Sequence, residues 1–418
     1  MRSPIPDYLA EVLRAVESDD SGATADYIPE LAAADPDRLA VAIATLDGEV
    51  YAVGDASVEF TIQSISKPFA YALALTDRGF DGVLDKVGVE PSGDPFNEVS
   101  LDDTGRPFNP MINAGAITAH SLVGAPGVGP DLRFERVVAG LSAFAGRPLS
   151  VDEAVFASEM TTAHRNLSIA HMLRAYGVLT EDPVAVVEGY TRQCSLLVTA
   201  TDLALMAATL ANHGVHPRTG ARVVSEAVVR QVLSVMTTCG MYDAAGDWVT
   251  QVGIPAKSGV AGGLIGALPG QVGIATFSPR LDKHGNSVRG VRLFERFSDD
   301  MGMHMMEVPA ASRTVLRKNR GIAGLRLYAL QGGLRFAEAE QVVREVSDHP
   351  PTEHRVGFNL SHVHAMDGVA RRMLLEVIRR LSLDGHDVYL IDPDRVIKAP
   401  DPGDGGRVTV VADIDDIA

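Results

Sequence analysis

The segment RLAVAIATLDGEVYAVGD, residues 38–55, sets the tightest limit on the fold. Two alternating apolar runs flank Asp47-Gly48, and both turn residues accept a positive φ, so the stretch reads as a β-hairpin. A turn this short permits only antiparallel pairing. VEFTIQ (58–63) reads as a third strand running into QSISKPF (63–69). From Ser66 to Arg78 the period becomes helical, with Phe69, Ala72, Leu73 and Thr76 on one side and Gly79 as a stop. RFERVVAGLSAFAG, NLSIAHMLRAYG, TATDLALMAATLANHG and EAVVRQVLSVM then read as helices, each ending at or near a glycine or a polar break. After Lys257 strands return, first GLIGALPGQVGIATFSP and then VRGVRLFERFSDDM. Strands, helices and strands again predict an α+β domain, one antiparallel sheet with a helical cluster inserted in the chain.

A chain of 418 residues is long for one domain. A short basic stretch around 308–324, VPAASRTVLRKNRGIAG, reads as a linker, giving domains at 1–308 and 323–418 with a connection at 309–322. The second domain shows a βαβαβ-like pattern: strands near Leu325–Leu330, Val356–Leu360, Val388–Ile391 and Val408–Val411, with helices over Glu338–Val346 and Ala370–Asp384. About 100 residues suffice for an independent α/β domain.

The net charge of −17 argues against nucleic acid, which needs a basic face. Almost all of it lies in the first domain, since residues 311–418 carry 15 Lys/Arg against 16 Asp/Glu. The two cysteines, Cys194 and Cys239, form no zinc spacing. The first twenty residues carry five acidic side chains and no apolar stretch, unlike a signal peptide. The longest uncharged run, between Lys257 and Arg280, holds six glycines and two prolines, which does not suit a membrane helix. These features predict a cytoplasmic protein with free thiols and no membrane or nucleic-acid partner.

QSISKPF places Ser64 three residues before Lys67, with Pro68 in the first helical turn, where its missing N–H costs nothing. Serine is a weak nucleophile at neutral pH and needs a base. A lysine three positions on shares its helix face, and burial can lower the lysine pKa enough for it to accept a proton. Of the two serines in the stretch, only Ser64 has this spacing. A serine cap beside a solvated lysine would give the same letters. AKSGVAGG (256–263) adds Lys257-Ser258-Gly259 ahead of a strand. S-x-x-K followed by K-[TS]-G is the arrangement of serine β-lactamases and penicillin-binding proteins, in which the later strand borders the pocket.

Between those boxes stand GRPFNPMINAGAI (105–117), SEMTTAHRN (158–166), EGYTRQCS (188–195) and CGMYDAAGDW (239–248). With DYIPEL (26–31) and QSISKPF they resemble the serine-dependent glutaminase family over about residues 5–307. That resemblance implies a β-lactamase-like catalytic domain hydrolysing L-glutamine to L-glutamate and ammonia, an amidohydrolase acting on a linear amide. It implies Ser64 as nucleophile, Lys67 as its dyad partner, and Tyr190 or Tyr242 in the proton relay. It further implies Asn113, Glu159, Asn166, Tyr190, Tyr242 and Val260 as substrate-binding positions, with Tyr27 as an outer contact. No metal or organic cofactor is implied, and a homo-oligomer, dimer or tetramer, is. The residue types suit a zwitterion: Glu159 for an α-ammonium, the Asn113 and Asn166 amides for an α-carboxylate. Helix capping would account equally for Glu159 and Asn166, turn formation for Asn113, and core packing for the tyrosines. His120, His164, His171, His213 and His304 form no ligand cluster, and Cys194 reads as a buried inert thiol.

The second domain, with VGFNLSHVHAMDGVARRMLLEVIRRLSLDGHDVYLID (356–392) at its centre, resembles a STAS domain. In regulatory members a phosphorylatable serine follows the loop aspartate, whereas here Gly368-Val369 follow Asp367. A protein or nucleotide partner, or a role in assembly, is what remains. Two rival readings of the whole chain stand: a penicillin-recognising serine hydrolase, and a non-enzymatic module that senses glutamine.

Overall fold

The computed structural model describes residues 4–92, 100–307, 315–322 and 324–417. The chain divides into two compact units, Met1–Glu307 and Val308–Ala418. In the first unit, β1 (Ala40–Thr45) and β2 (Val50–Gly54) form the expected hairpin. Ala40 faces Gly54 and Ala44 faces Val50, and Gly48 takes φ +95° in the turn. β3 (Phe60–Thr61) and β4 (Leu197–Val198) are short. β5 (Ala256–Ser258), β6 (Gly263–Leu268) and β7 (Val272–Phe277) complete a five-stranded antiparallel sheet ordered β2-β1-β7-β6-β5.

Both faces of this sheet are covered, so β6 and β7 are buried at every position and lack the alternation of a half-exposed strand. The helix Ala200–Ala211 lies on one face, with every residue but Thr201 buried. Thr199 and Asp202 satisfy its first N–H groups as a capping box. Gly273 lets helix and sheet approach, because a Cβ there would strike the backbone of Ala204 and Ala208. On the opposite face Leu9 and Val12 of helix Ile5–Glu17, and Leu293, Phe294 and Phe297 of a C-terminal helix, pack on Val41, Ile43, Leu264 and Ile274.

That C-terminal helix, Val288–Met301, corrects the strand expected from VRGVRLFERFSDDM. Val291, Phe294 and Phe297 recur every third residue, and Arg292, Glu295, Arg296 and Asp299 occupy the remaining surface. Ser287 caps its start through Gly290 N, and Gly302 at φ +61° ends it. The strand expected over 58–63 shrinks to β3, which pairs with β4 away from the main sheet. The Gly79 stop is a break, with φ +75° and ψ 169°, after which helix continues to Leu84.

In the second unit β8 (Leu316–Ile322), β9 (Leu325–Leu334), β10 (Arg355–Met366), β11 (Asp387–Ile391) and β12 (Thr409–Val411) form a sheet ordered β12-β11-β10-β9-β8. Only the β8–β9 pair is antiparallel. Helices Phe336–Asp348 and Gly368–Leu383 close the core through Val342, Leu374 and Ile378, with Tyr328 and Phe358 stacked at 5.3 Å beneath. β8 takes up residues 316–322 of the linker expected at 309–322, while residues 309–314 lie outside the described residues. Its charged residues suggested a solvated connection, and an edge strand tolerates such residues because they discourage pairing with another chain. Asp367, at the end of β10, accepts from Val369 N and Ala370 N and so serves as a helix cap. Among the described residues no helix is long and apolar enough to cross a membrane.

Candidate active site

Ser64 does not lie on the α-helix. It occupies a 3₁₀ turn, Gln63–Ile65, and the helix Ser66–Leu84 begins two residues later, carrying Lys67 in its first turn. The turn is reached through β3, whose neighbour Ile62 donates its N–H to Leu196 O at 2.8 Å. Gln63 has φ +49°, unusual for a residue with a Cβ. The end of β5 presses on the same turn: a Cβ at Gly259 would lie 3.1 Å from Ile62 O and 3.4 Å from the Gln63 Cβ. Glycine in Lys257-Ser258-Gly259 therefore brings Val260 and the Ser64 turn to one cavity. Ser66 is fully buried, and its Oγ accepts from Gln193 Nε2 at 3.0 Å, so it is Ser64 that faces the open space.

A cavity of about 400 Å³ is lined by Tyr27, Ser64, Asn113, Glu159, Asn166, Tyr190 and Val260. These seven were named from the sequence. Gln63, Thr162, Arg165 and Cys194 also line it and were not assigned to it. Lys67 and Tyr242 stand behind this wall. Lys67 is 1% exposed and donates to Asn113 Oδ1 at 2.7 Å and Met111 O at 3.0 Å. Asn113 Nδ2 in turn donates to Asn166 Oδ1 at 3.0 Å. One Asn113 hydrogen is thus committed within the wall, and the Asn166 NH₂ is the freer donor for a ligand.

Burial brings the Lys67 amine down to about 7 from its ordinary value of 10.5. Lys257, also buried, is pushed well below its usual range by desolvation and then by the charge of Lys67. The ring of Tyr242 lies close to both, with Lys257 Nζ 3.9 Å and Lys67 Nζ 5.6 Å from its centroid. Burial raises the Tyr242 phenol, and a hydrogen bond with Ser64 partly offsets this. Tyr190 is raised by burial too, but its hydroxyl bonds with Cys194. Only Tyr242 of the two meets Ser64 here. Tyr242 stands at φ +57°, a second strained residue beside Ser64.

Glu159 is partly buried, which raises its carboxyl, while hydrogen bonds from Tyr27 and Gln63 pull it back. The Cys194 thiol is pushed up to about 11 by burial, so it carries almost no thiolate at neutral pH. His120 is driven down to about 4 by burial; neutral, it pairs with Gln193 Oε1 at 2.9 Å and supports the core. No cluster of three or more His, Cys, Asp or Glu able to hold a metal occurs among the described residues.

A sheet covered on both faces, a helical layer beside it, and a cavity walled by a serine and a carboxylate with a buried lysine behind them are features of an α+β hydrolase. Residues 22–306 match the glutaminase family and residues 314–400 the STAS domain. A glutaminase of Corynebacterium glutamicum is 49% identical over 394 residues, which cover 94% of this chain and 95% of that protein. One from Corynebacterium efficiens is 47% identical over 415 residues, 99% and 98% of the two. The crystal structure of Mglu superposes with a TM-score of 0.90 at 50% identity, over 95% of this chain and 100% of that one. Mglu in its L-glutamate binding form gives 0.88 at 46% identity, over the same 95% and 100%. The chain belongs to the glutaminase family and carries a C-terminal STAS domain.

Proposed function

We propose that this chain hydrolyses L-glutamine to L-glutamate and ammonia through an ester on Ser64. The observation that carries the reading is the buried Lys67 amine one turn from a serine that bonds Tyr242 and opens on the cavity holding Glu159. A relative solved in an L-glutamate binding form supports the same substrate class. Lys67 as free amine takes the Ser64 proton, and Ser64 Oγ attacks the side-chain amide carbon. The backbone N–H groups of Ser64 and Val260 hold the oxyanion, a contact worth about 3–4 kcal/mol. The proton taken by Lys67 reaches the leaving nitrogen through Tyr242, which gives up its hydroxyl proton as it receives that one. Ammonia departs, and water, losing a proton to Lys67 and returning it to Ser64 Oγ, hydrolyses the ester. Glu159 binds the α-ammonium, Asn166 with Asn113 the α-carboxylate, and Tyr27 closes the rim.

Ammonia release from glutamine and asparagine, measured side by side with intact-mass detection of a γ-glutamyl ester, tests the reading. Absence of turnover would leave the sensing module, and a penicillin adduct would leave the rival hydrolase. Two further outcomes are expected. Because Lys67 must be unprotonated to act, kcat/KM falls with unit slope below a pKa near 7; a flat profile from pH 5 to 9 would exclude it as the base. Glu159→Gln raises KM for glutamine about 100-fold by removing the ammonium's counter-charge, with a smaller effect on kcat.

A cytoplasmic location accords with two free, buried thiols, Cys194 and Cys239. Homo-oligomer formation has support in the exposed apolar side chains of Leu132, Met172, Tyr176 and Val184, and light scattering measures it. With Asp367 spent on a helix cap and no hydroxyl after it, the STAS domain is read as a binding or assembly module.

A further inference from the structure

Tyr242 opens a 3₁₀ turn, Tyr242–Ala244, set between buried anchors: Met241 on one side, Ala245 and Trp248 on the other. The Tyr242 hydroxyl is buried toward Ser64, but none of the three turn residues is fully covered. A cavity of about 420 Å³, with Tyr242, Asp243, Gly246 and Val249 in its wall, borders the turn, so close packing does not fix it on that side. Tyr242 nevertheless holds φ +57°, which a residue with a bulky side chain keeps where neighbours impose it. The next residue has such a neighbour: Asp243 Oδ2 lies 3.2 Å from His284 Nδ1. A carboxylate can only accept, so Nδ1 carries the hydrogen whatever the charge of the ring.

His284 stands on a braced loop. Leu281 and Ser287 pair across it, and Leu281 also pairs with Ala23. Asp282 Oδ1 accepts from His284 N at 2.8 Å and from Asn286 N at 3.0 Å. Asn286 and Ser287 are buried, and the loop runs directly into helix Val288–Met301, which covers the sheet. His284 therefore joins the backbone beside Tyr242 to a fixed part of the domain. We propose that His284 is a positioning residue: through Asp243 it holds the left-handed turn of Tyr242, and with it the phenol that hands a proton to the leaving nitrogen. This rests on Tyr242 as the proton relay. His284 does not line the Ser64 cavity, and it acts through Asp243 and the backbone rather than on the substrate.

The test compares L-glutamine with the γ-methyl ester of L-glutamate in the full-length protein. Both substrates give the same ester on Ser64, so kcat/KM reports the step that forms it. An amide nitrogen must be protonated to leave, whereas an alkoxide leaves with less help, so a displaced Tyr242 costs more on the amide. His284→Leu should lower kcat/KM on glutamine about fivefold, the scale of a partly exposed ion pair, and on the ester by about twofold or less. His284→Asn, whose amide nitrogen takes the place of Nδ1, should recover most of the loss. Asp243→Ala should match His284→Leu, and the double variant should lose no more than either. The His284 side chain is 32% exposed, so its replacement should leave the fold intact. Equal losses on both substrates, additive losses in the double variant, or no loss in His284→Leu would each overturn the proposal. Tyr242→Phe tests the reading beneath it: an equal effect on amide and ester there would remove Tyr242 as the relay, whatever His284 does.

Discussion

Ser64→Ala should lower ammonia release from glutamine by about 10⁵-fold while glutamate binding and thermal unfolding stay close to wild type. The size follows from what the change removes, the hydroxyl that would form the ester, and from how its nearest substitutes are held. Ser66, two residues on, is buried and held by Gln193, and Cys194 in the cavity wall carries a thiol pushed up to about 11. Folding should persist because Ser64 lies on a turn fixed by neighbours, namely Ile62 N–H on Leu196 O and the close approach of Gly259. Residual activity within tenfold of wild type would remove Ser64 from the mechanism.

Lys67→Met should also abolish turnover, and it should do so without loss of stability. An unfolded lysine holds its proton up to about pH 10.5, whereas the buried one releases it near 7. Between those values the unfolded chain binds more protons, so the folded state gains stability as pH rises. At neutral pH the penalty on the buried amine is of the order of 5 kcal/mol. Methionine has similar bulk and no such penalty, but it leaves Asn113 Oδ1 and Met111 O without their donor, at about 1–3 kcal/mol each. Near pH 7 the two effects roughly cancel, the balance lying between about −1 and +3 kcal/mol, so the Tm should stay within a few degrees of wild type or rise. As pH approaches 10.5 the penalty vanishes for wild type and the variant should fall below it in Tm, because the two unpaired acceptors remain. A Tm several degrees lower at pH 7 would mean that the amine is not desolvated as the structure places it.

Much of the fold was legible because its signals are local. The hairpin at 38–55 needs only alternation around Asp47-Gly48, and the helix Ala200–Ala211 needs only its apolar run and its cap. The errors fell where local pattern underdetermines structure. VRGVRLFERFSDDM begins with a strand-like mixture, and only the faces of the sheet decide that Phe294 and Phe297 belong to a covering helix. The charged residues of β8 look like a linker until β9 supplies their hydrogen-bond partner.

The site divides in the same way. The sequence alone determined which chemical groups exist and in what order: Ser64 one turn from Lys67, a K-S-G box before a strand, and Glu159, Asn113 and Asn166 between. Spacing along a helix or strand is a covalent property, so these pairings can be read from letters. Only the tertiary structure decided that Tyr242 and not Tyr190 meets Ser64. It alone showed that Gln63, next to Ser64, bonds a carboxylate 96 positions away, and that burial lowers the Lys67 amine to about 7. Desolvation and hydrogen bonding depend on which distant segments exclude water from a side chain, and local sequence does not carry that.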